Sequence, residues 1–305
     1  MLDAVLTIAQ SVGDKGLFII LGFSLLLLVI TALRKGFKQT FSKKFFSGSA
    51  ATIILYSMNV CTGIAITVFL FDISKLYSVI SLPTIDPAFW DDVPIVLTFL
   101  AALVVKDFID YWTHRWMHMR WLWPVHAAHH SEEEMTGLTT YRVHFLETYV
   151  MIISYVLGAS WLGIPKEAIA GGGIIYLLHN AYVHADLDWE HGPFKYLLAS
   201  PRFHRWHHAN EPSVFGKNLA NMMPIWDVLF GTYHNPHRCP HELGIDEIKH
   251  DDPVAIYFYP FKKWASELRA EFASSPAEGT APLVDERQEP RSALQDPPAR
   301  PYTTG

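Results

Sequence analysis

Three short stretches place histidines at spacings that suit metal ligation. HRWMH carries His114 and His118, four residues apart. WPVHAAHH carries His126, His129 and His130, and PRFHRWHH repeats that spacing with His204, His207 and His208. On a helix, positions i and i+4 share a face. At about 100° per residue, each HxxHH motif fits within an arc of roughly 100°. Neutral imidazole is a common ligand for iron, zinc and copper. Structural zinc favours cysteine, and the chain has two cysteines, Cys61 and Cys239. HRWMH lacks the glutamate of the zinc-protease HExxH helix. Eight clustered imidazoles suffice for two metal ions with open positions. A redox-active pair of irons is the natural occupant, with copper or a zinc pair as alternatives on chemistry alone.

The elements that must hold these histidines are apolar. Half of the 305 residues are hydrophobic and 18% are charged, below the roughly 25% of soluble domains. The runs Gly16 to Leu33 and Ala50 to Phe71 contain no charge. Each is close to the roughly 20 residues that cross a bilayer as a helix. Between them lie Arg34, Lys35, Lys38, Lys43 and Lys44 with no acid. Residues 72–92 carry Asp72, Asp86, Asp91 and Asp92 against Lys75 alone. Basic loops stay cytoplasmic, so 34–49 is expected inside and 72–92 outside. A third span is expected from Val93, with Asp92 as N-cap and Pro94 in the first turn. It returns the chain to the cytoplasmic side near Lys106 to His114, and all sixteen histidines follow that return. Thr148 to Pro165 and Ala168 to Val183 read as a further hairpin. The glycines at 171–173 weaken its second limb or let another helix approach closely. From about Ser274, dense proline and charge read as a disordered tail. The expected fold is all-α: a multi-span integral membrane protein whose histidine-bearing helices cap the bundle on the cytoplasmic side. Its expected divisions are 1–92, 93–273 and 274–305. A bacterial inner membrane is the simpler expectation over the endoplasmic reticulum.

HRWMH, HAAHH and HRWHH, in this order and after hydrophobic spans, resemble the fatty acid hydroxylase and sterol desaturase superfamily. KDFIDYWTHRWMH resembles the first box of that family. TTYRVHFLE resembles its Arg-x-His segment, and NLANMMPIWDVLFGTY its closing segment. The resemblance covers about residues 95–235. It implies a further histidine before the last box. In HNAYVHADLDWEHGP, His184-Ala-Asp matches that position, which makes nine ligands with the eight above. His179 is the weaker candidate, because five residues separate it from His184, about 140° on a helix. His144 is expected beside the ligands or the substrate, or in a structural role. Ligating histidines usually donate their outer N–H to a carboxylate or carbonyl. Asp107 and Asp110 precede the first box, and Asp110 shares the face of His114. Asp188, four residues after His184, is expected to do the same, and Asp227, in the family-like WDVLFGT, is expected either in a structural role or behind a ligand. His234, His237, His241 and His250 are irregularly spaced and read as loop residues.

The resemblance implies two irons, dioxygen as co-substrate and hydroxylation or desaturation of an unactivated C–H bond in a lipid. No CxxC pair, GxGxxG fingerprint or CxxCH haem site is present. Electrons are therefore expected from a separate ferredoxin or b-type cytochrome with its reductase. Nothing points to nucleic acid. Two rivals remain open, a histidine-rich membrane metal-binding or transport protein and a di-zinc hydrolase.

Overall fold

The computed structural model describes residues 2–70, 79 and 82–274. Among them the regular elements are helical and no strand forms; one isolated bridge joins Ala209 and Leu243. The long helices are α1 (Leu2–Lys35), α3 (Lys43–Leu70), α4 (Ile95–Met117), α6 (Phe145–Trp161), α7 (Lys166–Val183) and α10 (Pro253–Ser274). Between them lie α2 (Phe37–Thr40), α5 (Trp123–His130), α8 (Pro201–His207) and α9 (Ile225–Phe230). The backbone packs as one unit through Ala265, and a second begins at Ser266. The expected tail lies outside the described residues apart from Ser274. So do Phe71 at the end of the expected second span and residues 72–78 of the expected outer loop.

Among the described residues, one helix is long and apolar enough to cross a membrane: α1 over Phe18–Lys35, with a mean hydropathy of 2.1. α6 is a shorter apolar helix. α4 begins one residue past Pro94, which takes the N-cap position expected of Asp92. The earlier start fails because Trp90 and the preceding residues form a separate 3-10 turn capped by Asp86.

α4 is the spine, with α6 and α7 packed against it and α1 against α7. Two glycines permit this approach. A Cβ at Gly171 of α7 would lie 2.4 Å from the Phe99 ring of α4, and one at Gly158 of α6 would lie 2.3 Å from Ile109. Small residues bring helix backbones together in this way, so Gly171 of the glycine run does let a neighbour close in. Beyond α4, Asp107 fastens the chain near residues 222–226. Its carboxylate accepts from the Met222 and Met223 N–H groups and the Trp226 indole at 2.8–3.0 Å.

The short helices carry the histidine motifs and are well defined locally. Ser200 caps α8 by accepting from Phe203 N at 3.2 Å, with Pro201 at the first position, a favoured helix start. Pro124 stands in the first turn of α5, which has no side-chain cap. His118, His184 and His208 stand at the C-caps of α4, α7 and α8, and His130 ends α5. Four helix C-termini, the negative ends of the helix dipole, thus converge where the histidines gather.

Candidate metal centre

The histidines divide into two groups, in each of which one ring nitrogen per residue lies within 4.8 Å of the others. The first contains His114, His118, His126, His130 and His207; the second contains His129, His184, His204 and His208. Each HxxHH motif serves both groups. His126 and His130 go to the first and His129 to the second; His204 and His208 go to the second and His207 to the first. Residues i and i+4 differ by about 40° on a helix, whereas i+3 lies about 60° to the other side. The i+3 ring therefore turns to the neighbouring group.

The outer nitrogens fix the inner ones. His114 Nδ1 donates to Leu219 O at 2.6 Å and His207 Nδ1 to Lys217 O at 2.8 Å. His129 Nδ1 donates to Arg142 O at 3.2 Å and His184 Nδ1 to Asn180 O at 2.8 Å. His126 Nδ1 donates to Glu147 Oε1 at 2.9 Å. A neutral imidazole has one N–H, so these five rings keep a lone pair on Nε2. Yet His114 Nε2 faces His126 Nε2 at 2.9 Å, and His129 Nε2 faces His184 Nε2 at 3.1 Å. Two lone pairs cannot bond to each other. A cation between them satisfies both, and each group contains one such pair. Burial holds the imidazoles of His126, His129, His130, His204, His207 and His208 well below the ordinary histidine value, and the neighbouring imidazoles push the same way. They stay neutral, the form that binds metal. His118 Nε2 is buried with no partner in the protein. The donor set, all imidazole and without thiolate, suits iron, copper or zinc.

The sequence-expected carboxylates take other partners. None of the four hydrogen-bonds a clustered histidine, because nearness along the chain does not bring the polar atoms together. Asp110 pairs with Lys106, one turn away, and leaves its second oxygen free. Asp188 pairs with Arg202 at 2.8 Å on an exposed surface, so His184 uses the Asn180 carbonyl instead. Asp107 holds the backbone at Met222 and Met223. Asp227 accepts from Leu219 N, Ala220 N and Thr232 Oγ1 at 2.6–2.8 Å. It thereby positions the segment whose Leu219 carbonyl orients His114. The carboxylate that does meet a clustered histidine is Glu147. Its signal was an acid opening the apolar run that forms α6. His179 stands outside both groups, its ring beside Tyr182.

His144 caps α6. Its Nδ1 accepts from Leu146 N at 3.2 Å and its Nε2 donates to Tyr257 O at 3.0 Å. Burial pulls it from the ordinary 6.5 down to about 4. The unfolded chain takes this proton first, so the stability His144 contributes is full above 6.5 and is lost as pH falls from 6.5 towards 4. It amounts to at most on the order of 3 kcal/mol. His144→Asn, which keeps a capping side chain, is expected to flatten the fall in thermal stability across that window. An unchanged slope would remove His144 as its source.

A cavity of about 420 Å³ opens between α4, α6 and α7. His114, His126, His129, His184 and His204 form part of its wall. Met151, Ile152 and Leu177 give it apolar sides.

Comparison with known proteins bears on this arrangement. Residues 99–232, which contain all nine clustered histidines, match the model of the fatty acid hydroxylase family. This segment belongs to that family. Curated proteins are similar to the chain as well. An ornithine lipid hydroxylase of Rhizobium tropici is 33% identical over 49% of this chain and 46% of its own length. An alkylglycerol monooxygenase of Xenopus tropicalis is 34% identical over 52% of this chain and 33% of its own. The human alkylglycerol monooxygenase is 31% identical over 55% and 38%. The chain thus spans less than half the length of these relatives. No solved structure matches it.

Proposed function

We propose that the chain is a multi-span membrane enzyme that hydroxylates or desaturates a lipid with dioxygen, holding one iron in each imidazole group. The observation that carries this reading is the apolar cavity whose wall includes five of the clustered imidazoles. His114, His118, His126, His130 and His207 would hold one iron, and His129, His184, His204 and His208 the other. Bound iron would supply the redox chemistry that activates dioxygen. The chain supplies placement. Leu219, Lys217, Arg142, Asn180 and Glu147 fix ring orientation through the Nδ1 bonds. The walls of α4, α6 and α7 hold an alkyl segment against the imidazoles and exclude water. Outward-facing apolar side chains support the membrane reading. Leu25 and Val29 on α1, Ile53 on α3 and Val96 and Leu100 on α4 are exposed, as a lipid-facing surface requires. The basic segment after α1 argues for histidines on the cytoplasmic side, in a bacterial inner membrane. A ferredoxin or a b-type cytochrome with its reductase would deliver the electrons.

The test is metal content with Mössbauer spectroscopy on detergent-purified protein, followed by turnover of membrane lipid extract under heavy-isotope dioxygen. About two irons per chain are expected. The product should be a lipid that carries the labelled oxygen or has lost two hydrogens. Zinc alone, with hydrolysed lipid, would replace this reading by a hydrolase.

A further inference from the structure

Five polar atoms in the cavity wall are buried and have no hydrogen-bond partner in the protein. They are one oxygen each of Asp110, Glu147, Asn180 and Asn221, and the Tyr176 hydroxyl. Native proteins pair nearly all such atoms, and exceptions point to an absent partner. Five around one space are a pattern. The cation of the cavity does not answer them. Lys106 pairs with Asp110 and lies over the rings of Tyr176 at 4.2 Å and Tyr155 at 5.2 Å. The Asp110 carboxylate and the two amide oxygens accept only, and the single Tyr176 O–H can serve one acceptor at a time, so the space is short of donors.

Their placement is specific. Asp110 lies one turn before His114 on α4, and Asn180 one turn before His184 on α7. One turn is about 5 Å along the axis. Glu147 already bonds His126 through its other oxygen. The unpaired oxygens therefore lie close beside the imidazole groups, with Ile152 and Leu177 also on the wall. A plain hydrocarbon chain supplies no donor and would leave acceptors among them unsatisfied.

We infer that this cavity takes a lipid bearing a hydrogen-bond donor, a hydroxyl or an ammonium, within a few bonds of the carbon presented to the imidazoles, and that Asp110, Asn180 and Tyr176 recognise that donor. The inference rests on the lipid-oxidising function proposed above and narrows its substrate class. It makes a mid-chain methylene of an unsubstituted acyl group a poor substrate.

The test uses the full chain in lipid nanodiscs, loaded with zinc so that binding is read without turnover. The probes are radiolabelled hexadecanol, hexadecyl methyl ether and hexadecylamine. Hexadecanol or hexadecylamine is expected to bind roughly tenfold or more tightly than the ether, and which of the two wins identifies the donor. Asn180→Leu and Tyr176→Phe are expected to shrink that preference and leave ether binding unchanged. The Asn180 carbonyl that orients His184 survives the first substitution. The second keeps the ring, so one variant remains if the other fails to fold. Equal binding of all three probes, or a preference that neither variant alters, overturns the inference and assigns the oxygens to water. Iron content separates the two proposals. A chain that refuses iron but keeps the donor preference overturns the oxygenase reading alone. Two irons with no preference overturns the donor site alone.

Discussion

His204→Ala is expected to reduce the iron content from about two per chain to about one. The lost ion should be that of the group formed with His129, His184 and His208. His204 Nε2 lies 3.0 Å from His184 Nε2 and 3.2 Å from His208 Nε2, at the middle of that group. Three imidazoles remain, one of them, His208, without a protein partner on its outer nitrogen. Loss of a hydrogen-bond partner behind a ligand already costs roughly 10–100-fold in metal affinity, and loss of the ligand itself should exceed that. Lipid oxidation should fall at least about a hundredfold on the same reasoning. His207→Ala makes the internal comparison. It strikes the five-imidazole group, where four rings remain, so its iron should be weakened rather than expelled. Elemental analysis after dialysis, with Mössbauer spectra of both variants, reads the difference. Equal loss of both ions in either variant would show that the imidazoles act as one site and not two.

The division between those groups shows what a linear sequence conceals. The spacing of His126, His129 and His130 puts three rings on one face, and that much follows from helical geometry. Which ring serves which group depends on how α5 lies against α4, α7 and α8, and no residue type reports that. The same limit explains the carboxylates. Asp188 stands four residues from His184, but it meets Arg202 at the surface, and the proton acceptor for His184 is a backbone carbonyl of its own helix. Four of the five outer-nitrogen bonds described go to main-chain carbonyls, which every residue has. Glu147 carries the one side-chain signal, a charge at the head of an apolar helix. By contrast, the run at 171–173 was readable as a close approach, because only the absence of a Cβ lets α7 meet Phe99. The charge-free segments were readable as helices for a related reason: such runs leave a chain few other ways to satisfy its backbone.

Asp227→Ala is expected to cost the folded protein roughly 3 kcal/mol, from the two N–H groups it would leave unpaired at about 1–3 kcal/mol each. Burial pushes this carboxyl above the ordinary aspartate value, and its bonds to Thr232, Ala220 and Leu219 pull it back. The carboxylate is fully buried, so water cannot replace it for those donors. The loss should not stop at stability. Asp227 holds Leu219 through its N–H, and the Leu219 carbonyl holds His114 through Nδ1. Released from that carbonyl, the His114 ring is free to move its proton to Nε2, the atom that faces His126. A protonated Nε2 cannot ligate, so metal affinity at the five-imidazole group should fall by about the 10–100-fold of a lost outer partner. Asp227→Asn separates the two effects. One amide oxygen can still accept from the backbone, so part of the stability should return. Thermal unfolding of metal-free and iron-loaded protein measures both at once. A variant that unfolds earlier without metal but gains as much from iron as the wild type would confine Asp227 to the scaffold and break its link to His114.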